Sequence, residues 1–399
     1  MTSPVMSSGV AAGRPQPQTT VEPAGGPFIR HSQPGRRAMY VNSGTAFGGL
    51  IANPLVAAPG YTRKYRIKVQ GTGGNGTTVT GGVDAPGNIA SLVQMKDSFG
   101  TPLIIAPGYE AFQLIPLFGG QFGAFDNSNN PLNLPSFSGI ATTSGNFTVN
   151  FALPLEFAKA YGVISSANAS LLPTLQINVN TAAAFYGTSV PGTLPTLAFT
   201  VDQDFYWLPE GVSVEPPGLG TTQQWIYQPA NPTIGSAASL NVQLPRLGGY
   251  LSVIIAELRD STGARTTVAD SDANGGWPAR LRFLVDGVPL LDSDITTLYD
   301  DIAIETGVGA GYGGAVQTNP TAMNARPVGV VAINRKQSLS QRGLGLFDTG
   351  ETYLSTNPGT QVEFAGAPWG AIGNAPATLN ALCGQVVPSG TLIQGLPEV

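Results

Sequence analysis

Asp202 and Asp204 stand two residues apart, beside the aromatic run Phe205-Tyr206-Trp207. That spacing puts both carboxylates on one face of an extended strand. Two carboxylates beside aromatic rings are the minimum equipment of a glycoside hydrolase, and many sugar-binding proteins are β-sandwiches. Asp292, Asp294, Asp300 and Asp301 form a second acidic group, but its spacing is not that of a calcium-binding loop. Asp294 opens a segment with helical character, where a carboxylate caps free N–H groups and suits the helix dipole. The aspartates thus read equally as caps of turns and helices, and no catalytic residue is assigned.

Other chemistry finds little to work with. The one histidine, His31, lies among prolines, where no packing holds it beside a nucleophile. A single cysteine, Cys383, excludes an internal disulfide and a cysteine-cage metal site. Gly309, Gly311 and Gly314 satisfy GxGxxG, yet they follow a helical segment and run into Asn319-Pro320 rather than joining strand to helix. No phosphate-binding GxxxxGK[ST] loop occurs. The sequons at Asn75, Asn146 and Asn168 matter only in a secreted chain. No cofactor and no metal are expected.

The elements that would carry these residues are strands. Gly and Pro number 52 and 33 of 399 residues, and charged residues make up 11%; glycine and proline at this level punctuate many short strands and exclude a helical bundle or coiled coil. Apolar residues at 42% are ample for a core. Tyr65, Ile67 and Val69 alternate with Lys64, Arg66 and Lys68, the period of a strand wetted on one side. Further strands are expected at Ile89–Met95, Leu103–Ile105, Phe147–Phe151, Leu175–Val179 and Thr200–Trp207, with a turn at 97–100 and a helical insert over Leu155–Tyr161. Residues 209–220 read as a linker.

After the linker the events repeat. Tyr250–Leu258 follows the Tyr65 strand by 185 residues, and Leu281–Leu291 echoes the strand, Asp-plus-Gly turn and Pro-Leu strand of Leu92–Ile104, 189 residues later. Val328–Ile333 and Val362–Phe364 trail the Phe147 and Ile177 strands by about the same offset. Tyr109–Phe118 and Ser293–Glu305 are the matching helical candidates. A common offset implies a duplicated unit, and about eight strands per unit fits a jelly roll. The expected fold is all-β: an extended basic N-terminal arm (1–40), a first jelly roll (41–215) and a second (216–399), with short helical inserts.

The arm carries Arg14, Arg30, Arg36 and Arg37 against Glu22, so it is +3 on a chain of net charge −5. Its prolines at 4, 15, 17, 23, 27 and 34 leave no helical or strand period. An acidic body argues against general nucleic-acid binding, and no apolar run reaches the length of a membrane span. No basic stretch followed by an apolar one opens the sequence, so no signal peptide is expected. Sparse charge on so large a body points to a surface covered by other subunits.

The Lys64–Gln70 strand, Asn88–Asp97, and Phe151–Asn180 with its Leu153-Pro154-Leu155 strand end resemble a double jelly-roll major capsid protein of the tectivirus–adenovirus lineage. That resemblance covers nearly the whole chain. It implies homotrimers of pseudo-hexagonal outline that tile an icosahedral virion shell around double-stranded DNA, assembled in the host cytoplasm, over an internal lipid membrane in tectiviruses, with penton and minor capsid proteins as further partners. It brings no catalytic residues and no sequence-specific nucleic-acid binding. It implies an inward-facing arm in which Arg14, Phe28, Ile29, Arg30, Arg36, Arg37 and Tyr40 meet lipid or a neighbouring subunit. Loops at 71–87 and 307–321 depart from the family in their Gly and Pro content. A spike, fibre or surface-layer subunit, and a carbohydrate-binding or hydrolysing sandwich using Asp202, Asp204 and Trp207, are the alternatives.

Overall fold

The computed structural model describes residues 32–54, 60–82, 84–97, 100–119, 136–156, 162–165, 173–207, 221–228, 233–234, 240–244, 250–259, 261, 263, 265, 277–278, 280–306, 316–317, 326–327, 329–334, 354–357, 359–366 and 377–388. Sixteen strands form its frame among the described residues, the remaining strands being two-residue pairings. Eight belong to the first half: β1 (Gln33–Thr45), β2 (Leu50–Pro54), β3 (Tyr61–Thr72), β4 (Ala90–Lys96), β5 (Pro102–Ala106), β6 (Phe147–Pro154), β7 (Thr174–Val179) and β8 (Thr196–Trp207). Eight follow in the second: β9 (Thr221–Gln228), β10 (Leu240–Gln243), β11 (Tyr250–Arg259), β12 (Arg280–Val285), β13 (Val288–Asp294), β14 (Val330–Asn334), β15 (Val362–Gly366) and β16 (Ala377–Pro388).

Strand order is the same in both halves. The first packs a sheet ordered β1-β8-β3-β6 against one ordered β2-β7-β4-β5; the second packs β9-β16-β11-β14 against β10-β15-β12-β13. Two four-stranded sheets in this order are two Greek keys closed into a jelly roll. Each strand n of the first roll thus corresponds to strand n+8 of the second, which is the duplication expected from the sequence offsets.

Alternation places the core. In β3, Tyr65, Ile67 and Val69 are fully buried while Lys64, Arg66 and Lys68 face outward. Opposite them lie Val93 and Met95 of β4 and Ile177 and Val179 of β7 in one apolar cluster, which also runs through the second roll. Fully burying each such side chain contributes about 1.5–3 kcal/mol. Between β5 and β6 a π-helical turn, Glu110–Leu114, leads into α1 (Ile115–Gly119). It stacks Phe112 on Phe151 with ring centroids 4.3 Å apart. At the same place in the second roll, after β13, sits α3 (Ile295–Thr306); a short α2 (Ala182–Tyr186) follows β7.

The hairpin β12–β13 turns at Asp286-Gly287, with φ of 50° and 79°. Left-handed backbone at both positions is what an Asp-Gly two-residue turn supplies. Asp286 is held there because its Oδ1 accepts from the Gln361 amide at 2.8 Å.

Two expectations need correction. Residues 33–40 are no arm: they form the first half of β1, in register with β8 from Gln33↔Trp207 onward. Only Met39 along β1 is buried, so the strand is held by its backbone ladder and shows no apolar period; Pro34 is tolerated because β1 is an edge. The expected helix at Leu155–Tyr161 does not start as one. Leu155 and Glu156 are buried and non-helical, both donating backbone N–H to the Arg63 carbonyl at 2.9 Å; 157–161 lie outside the described residues, as does the linker 209–220.

Candidate functional site

Asp202 and Asp204 do share the outer face of β8, and their neighbours settle what they do there. Cross-strand register sets Arg36 of β1 and Lys64 of β3 directly beside Asp204, with Arg66 beside Asp202. Asp204 Oδ1 accepts from Arg36 Nε at 2.7 Å, Oδ2 accepts from Arg66 Nε at 2.9 Å, and Lys64 Nζ lies 3.6 Å away. Partial burial alone would raise this carboxyl, but the two guanidinium hydrogen bonds outweigh it and hold the group below the usual carboxylate range. A carboxylate so held stays ionised and is a poor general acid at neutral pH. The cluster is a cross-strand ion pairing on the sheet surface.

The remaining candidates are also engaged structurally. Asp294 caps α3, accepting from the Thr297 amide at 2.9 Å. Asp292 pairs with Arg280 and Arg282 on exposed strands. Among the described residues no group of His, Cys, Asp and Glu is arranged to hold a metal. Cys383 is buried in β16, and desolvation pushes its thiol up to about 12. Of the proposed arm contacts, Arg36, Arg37 and Tyr40 sit on β1; Arg36 is paired with Asp204, Arg37 is exposed, and Tyr40 packs against the core. Arg14, Phe28, Ile29, Arg30, His31 and the glycines at 309–314 lie outside the described residues.

The most constrained chemistry in the molecule lies where the two rolls meet, and sequence reasoning missed it. β5 pairs in parallel with β9, Ile104 beside Trp225 and Ile105 beside Ile226, joining one sheet of each roll. Gln224 extends the seam by donating to the Pro102 carbonyl at 3.1 Å. Trp225 is buried against Gly384 of β16, where an added Cβ would come within 2.7 Å of the indole.

Beside this seam β11 ends in Glu257 and Arg259, and Arg265 follows. Arg259 donates to Asp84 at 2.7 Å, Glu110 at 3.1 Å and Glu257 at 2.8 Å; Arg265 donates to Asp84 Oδ1 at 2.7 Å. Asp84 and Glu110 belong to the first roll, both arginines and Glu257 to the second. The Tyr109 ring lies under Arg265, 4.1 Å from centroid to guanidinium, and the charges of Glu257 and Glu110 are felt at the Tyr227 hydroxyl of β9. Burial would raise Asp84, but its two arginines hold it below the ordinary range. Glu110 is pushed well above that range, first by burial and then by the charge of Glu257. A signal for this network exists in the sequence: Glu257 interrupts the otherwise uncharged run Tyr250–Leu258, and Arg259 follows it directly. A charge inside a strand with no wet face needs a buried partner.

What this geometry makes is a pair of rolls joined by a strand pairing and a buried ion network. Structural comparison gives the same architecture in viral shells. The major capsid protein (MCP) of Sulfolobus turreted icosahedral virus superposes with a TM-score of 0.58 at 16% identity, over 91% of this chain and all of that one. The chain carries the double jelly-roll fold of viral major capsid proteins. The PBCV-1 virus capsid structure matches at TM-score 0.52 and 11% identity (92% and 95% of the two chains). The Faustovirus major capsid protein matches at TM-score 0.52 and 8% (92% and 91%). No family model and no curated protein sequence matches; the likeness is in the double jelly roll itself.

Proposed function

We propose that this chain is the major shell subunit of a tailless icosahedral virus, three copies forming a pseudo-hexagonal block and the blocks tiling a shell around a double-stranded DNA genome. The observation that carries the reading is the repetition of one jelly roll, strand for strand, within a chain whose two copies are tied by a buried ion network. One subunit then offers two similar sides, so a three-fold assembly has a nearly six-fold outline. Thin surface charge, 11% of residues, suits a body whose flanks are covered by neighbours. The similar structures include a viral capsid and a viral major capsid protein, which supports the same role and a location in the virion.

Finer parts of the reading follow from it. Division into a first roll ending before 216 and a second from there matches the change of sheet between β8 and β9. The arm, ahead of β1, turns inward, and Arg14, Phe28, Ile29 and Arg30 contact lipid headgroups of an internal membrane or the base of a neighbouring subunit, each exposed ionic contact contributing on the order of 1 kcal/mol. Arg36, Arg37 and Tyr40 extend that contact along β1. Penton and minor capsid proteins, a bacterial host and assembly in its cytoplasm complete the reading, with no catalytic role.

Negative-stain microscopy of the purified chain tests it. Pseudo-hexagonal trimers or closed shells are expected, and dispersed single particles at high concentration would overturn it. Removing residues 2–31, which leaves β1 whole, is expected to preserve trimers and impair shells; normal particles from that variant would overturn the role of the arm.

A further inference from the structure

Correspondence between strands n and n+8 extends to the seam. Inside the chain, the fifth strand of the first roll, β5, meets the first strand of the second roll, β9, in parallel. Their counterparts at the outer ends of the molecule are β13 and β1. Each is the last strand of its sheet, with no strand beyond it among the described residues.

Both edges carry exposed apolar side chains. Val288 and Leu290 of β13 are 58% and 42% exposed, and Val41 of β1 is 66% exposed, with Leu50 at 60% where the chain re-enters as β2. These are four of the seven large apolar side chains exposed among the described residues. Residues 40–45 of β1 (Tyr-Val-Asn-Ser-Gly-Thr) and residues 288–291 of β13 carry no charge. Open edges in soluble proteins are ordinarily blunted by charge, bulges, shortness or cover; two uncharged edge stretches carrying exposed apolar side chains call for a partner.

Resting on the shell reading above, we propose that β13 of one copy pairs in parallel with β1 of a second copy, repeating between chains the β5–β9 seam within the chain, with Val288 and Leu290 of one packed against Val41 of the other. The contact is heterologous, since one copy gives β13 and the other β1, so it propagates around a ring and leaves no edge open when the ring closes. Three copies make six seams of one kind, alternately within and between chains. The two kinds differ in charge. β11 ends in Glu257-Leu258-Arg259 and feeds the ion network, whereas its counterpart β3 ends in Gln70-Gly71-Thr72. The seam between chains therefore rests on backbone pairing and apolar contact, and it forms without salt sensitivity.

Cysteine chemistry tests this, because buried Cys383 stays silent toward maleimides. A chain carrying both Val41→Cys and Leu290→Cys, treated with a short bis-maleimide, is expected to give covalent dimers and trimers on a denaturing gel, and each single variant only monomers. Val288→Lys is expected to convert trimers to monomers in native mass spectrometry with an unchanged circular dichroism spectrum. Wild-type trimers in which the double variant stays uncoupled, or in which Val41→Cys alone couples, overturn the edge pairing and leave the shell reading standing. Wild-type protein that is monomeric throughout overturns both.

Discussion

Two of the arginine–carboxylate clusters among the described residues differ sharply in what surrounds them. On the first roll Asp204 gathers Arg36, Arg66 and Lys64 on an outer sheet face, with the Arg36 and Arg66 side chains about half in water. At the seam Arg259 and Arg265 gather Asp84, Glu110 and Glu257 with almost none of the five exposed. Water screens the first cluster, so each pair is worth about 0–1 kcal/mol. It is excluded from the second, where losing one partner strands the others in a medium that cannot solvate them. Similar ions therefore decorate a surface in one place and fix two rolls against each other in the other.

The largest effect that would break this comparison comes from Arg259→Met. Removing the guanidinium leaves three buried carboxylates around Arg265, and about 3–5 kcal/mol of stability is expected to be lost, read by chemical denaturation. A loss below 1 kcal/mol would place the two clusters on a level. Gly384→Ala forces a methyl group against the Trp225 ring and is expected to cost about 1–3 kcal/mol by the same assay.

Proton linkage sharpens the contrast. Glu110 binds its proton more tightly folded than unfolded. Its contribution is therefore fully present below the unfolded carboxyl value of about 4.3 and falls as pH rises toward its folded value, by up to about 1.4 kcal/mol per pH unit. Asp84, held low by its arginines, contributes in the opposite sense: its share is present above its unfolded value and is lost as pH falls through the folded one. Denaturation from pH 5 upward is expected to show a declining limb in wild type that Glu110→Gln flattens; an unchanged limb would overturn the raised Glu110 carboxyl. The smallest change belongs to Arg36→Ala, expected to shift stability by no more than about 1 kcal/mol and to do so less in high salt.

The rolls themselves are legible in the sequence wherever a strand has one wet face. Tyr65-Ile67-Val69 in β3 and Phe147-Val149-Phe151 in β6 alternate because one side is core and the other solvent, and the repeated spacing of such segments discloses the duplication. β1 is not legible, because backbone pairing with β8 holds it and a ladder imposes no residue type. The seam is hidden for another reason. Asp84 and Arg259 are 175 residues apart and Glu110 and Arg259 are 149 apart, and nothing local fixes how one roll docks on the other. The Asp202–Asp204 pair is visible as a motif, while its three cations become apparent only once β1, β8 and β3 are set in register.

β16 ends at Pro388, near the end of the chain, yet it lies between β9 and β11 in the middle of its sheet. As the polypeptide leaves the ribosome, the first roll has all eight strands long before that piece arrives, while β9 and β11 wait with a gap between them. Synthesis thus sets an order of completion, and a nascent chain stopped short of residue 377 has one finished roll attached to a second that cannot close.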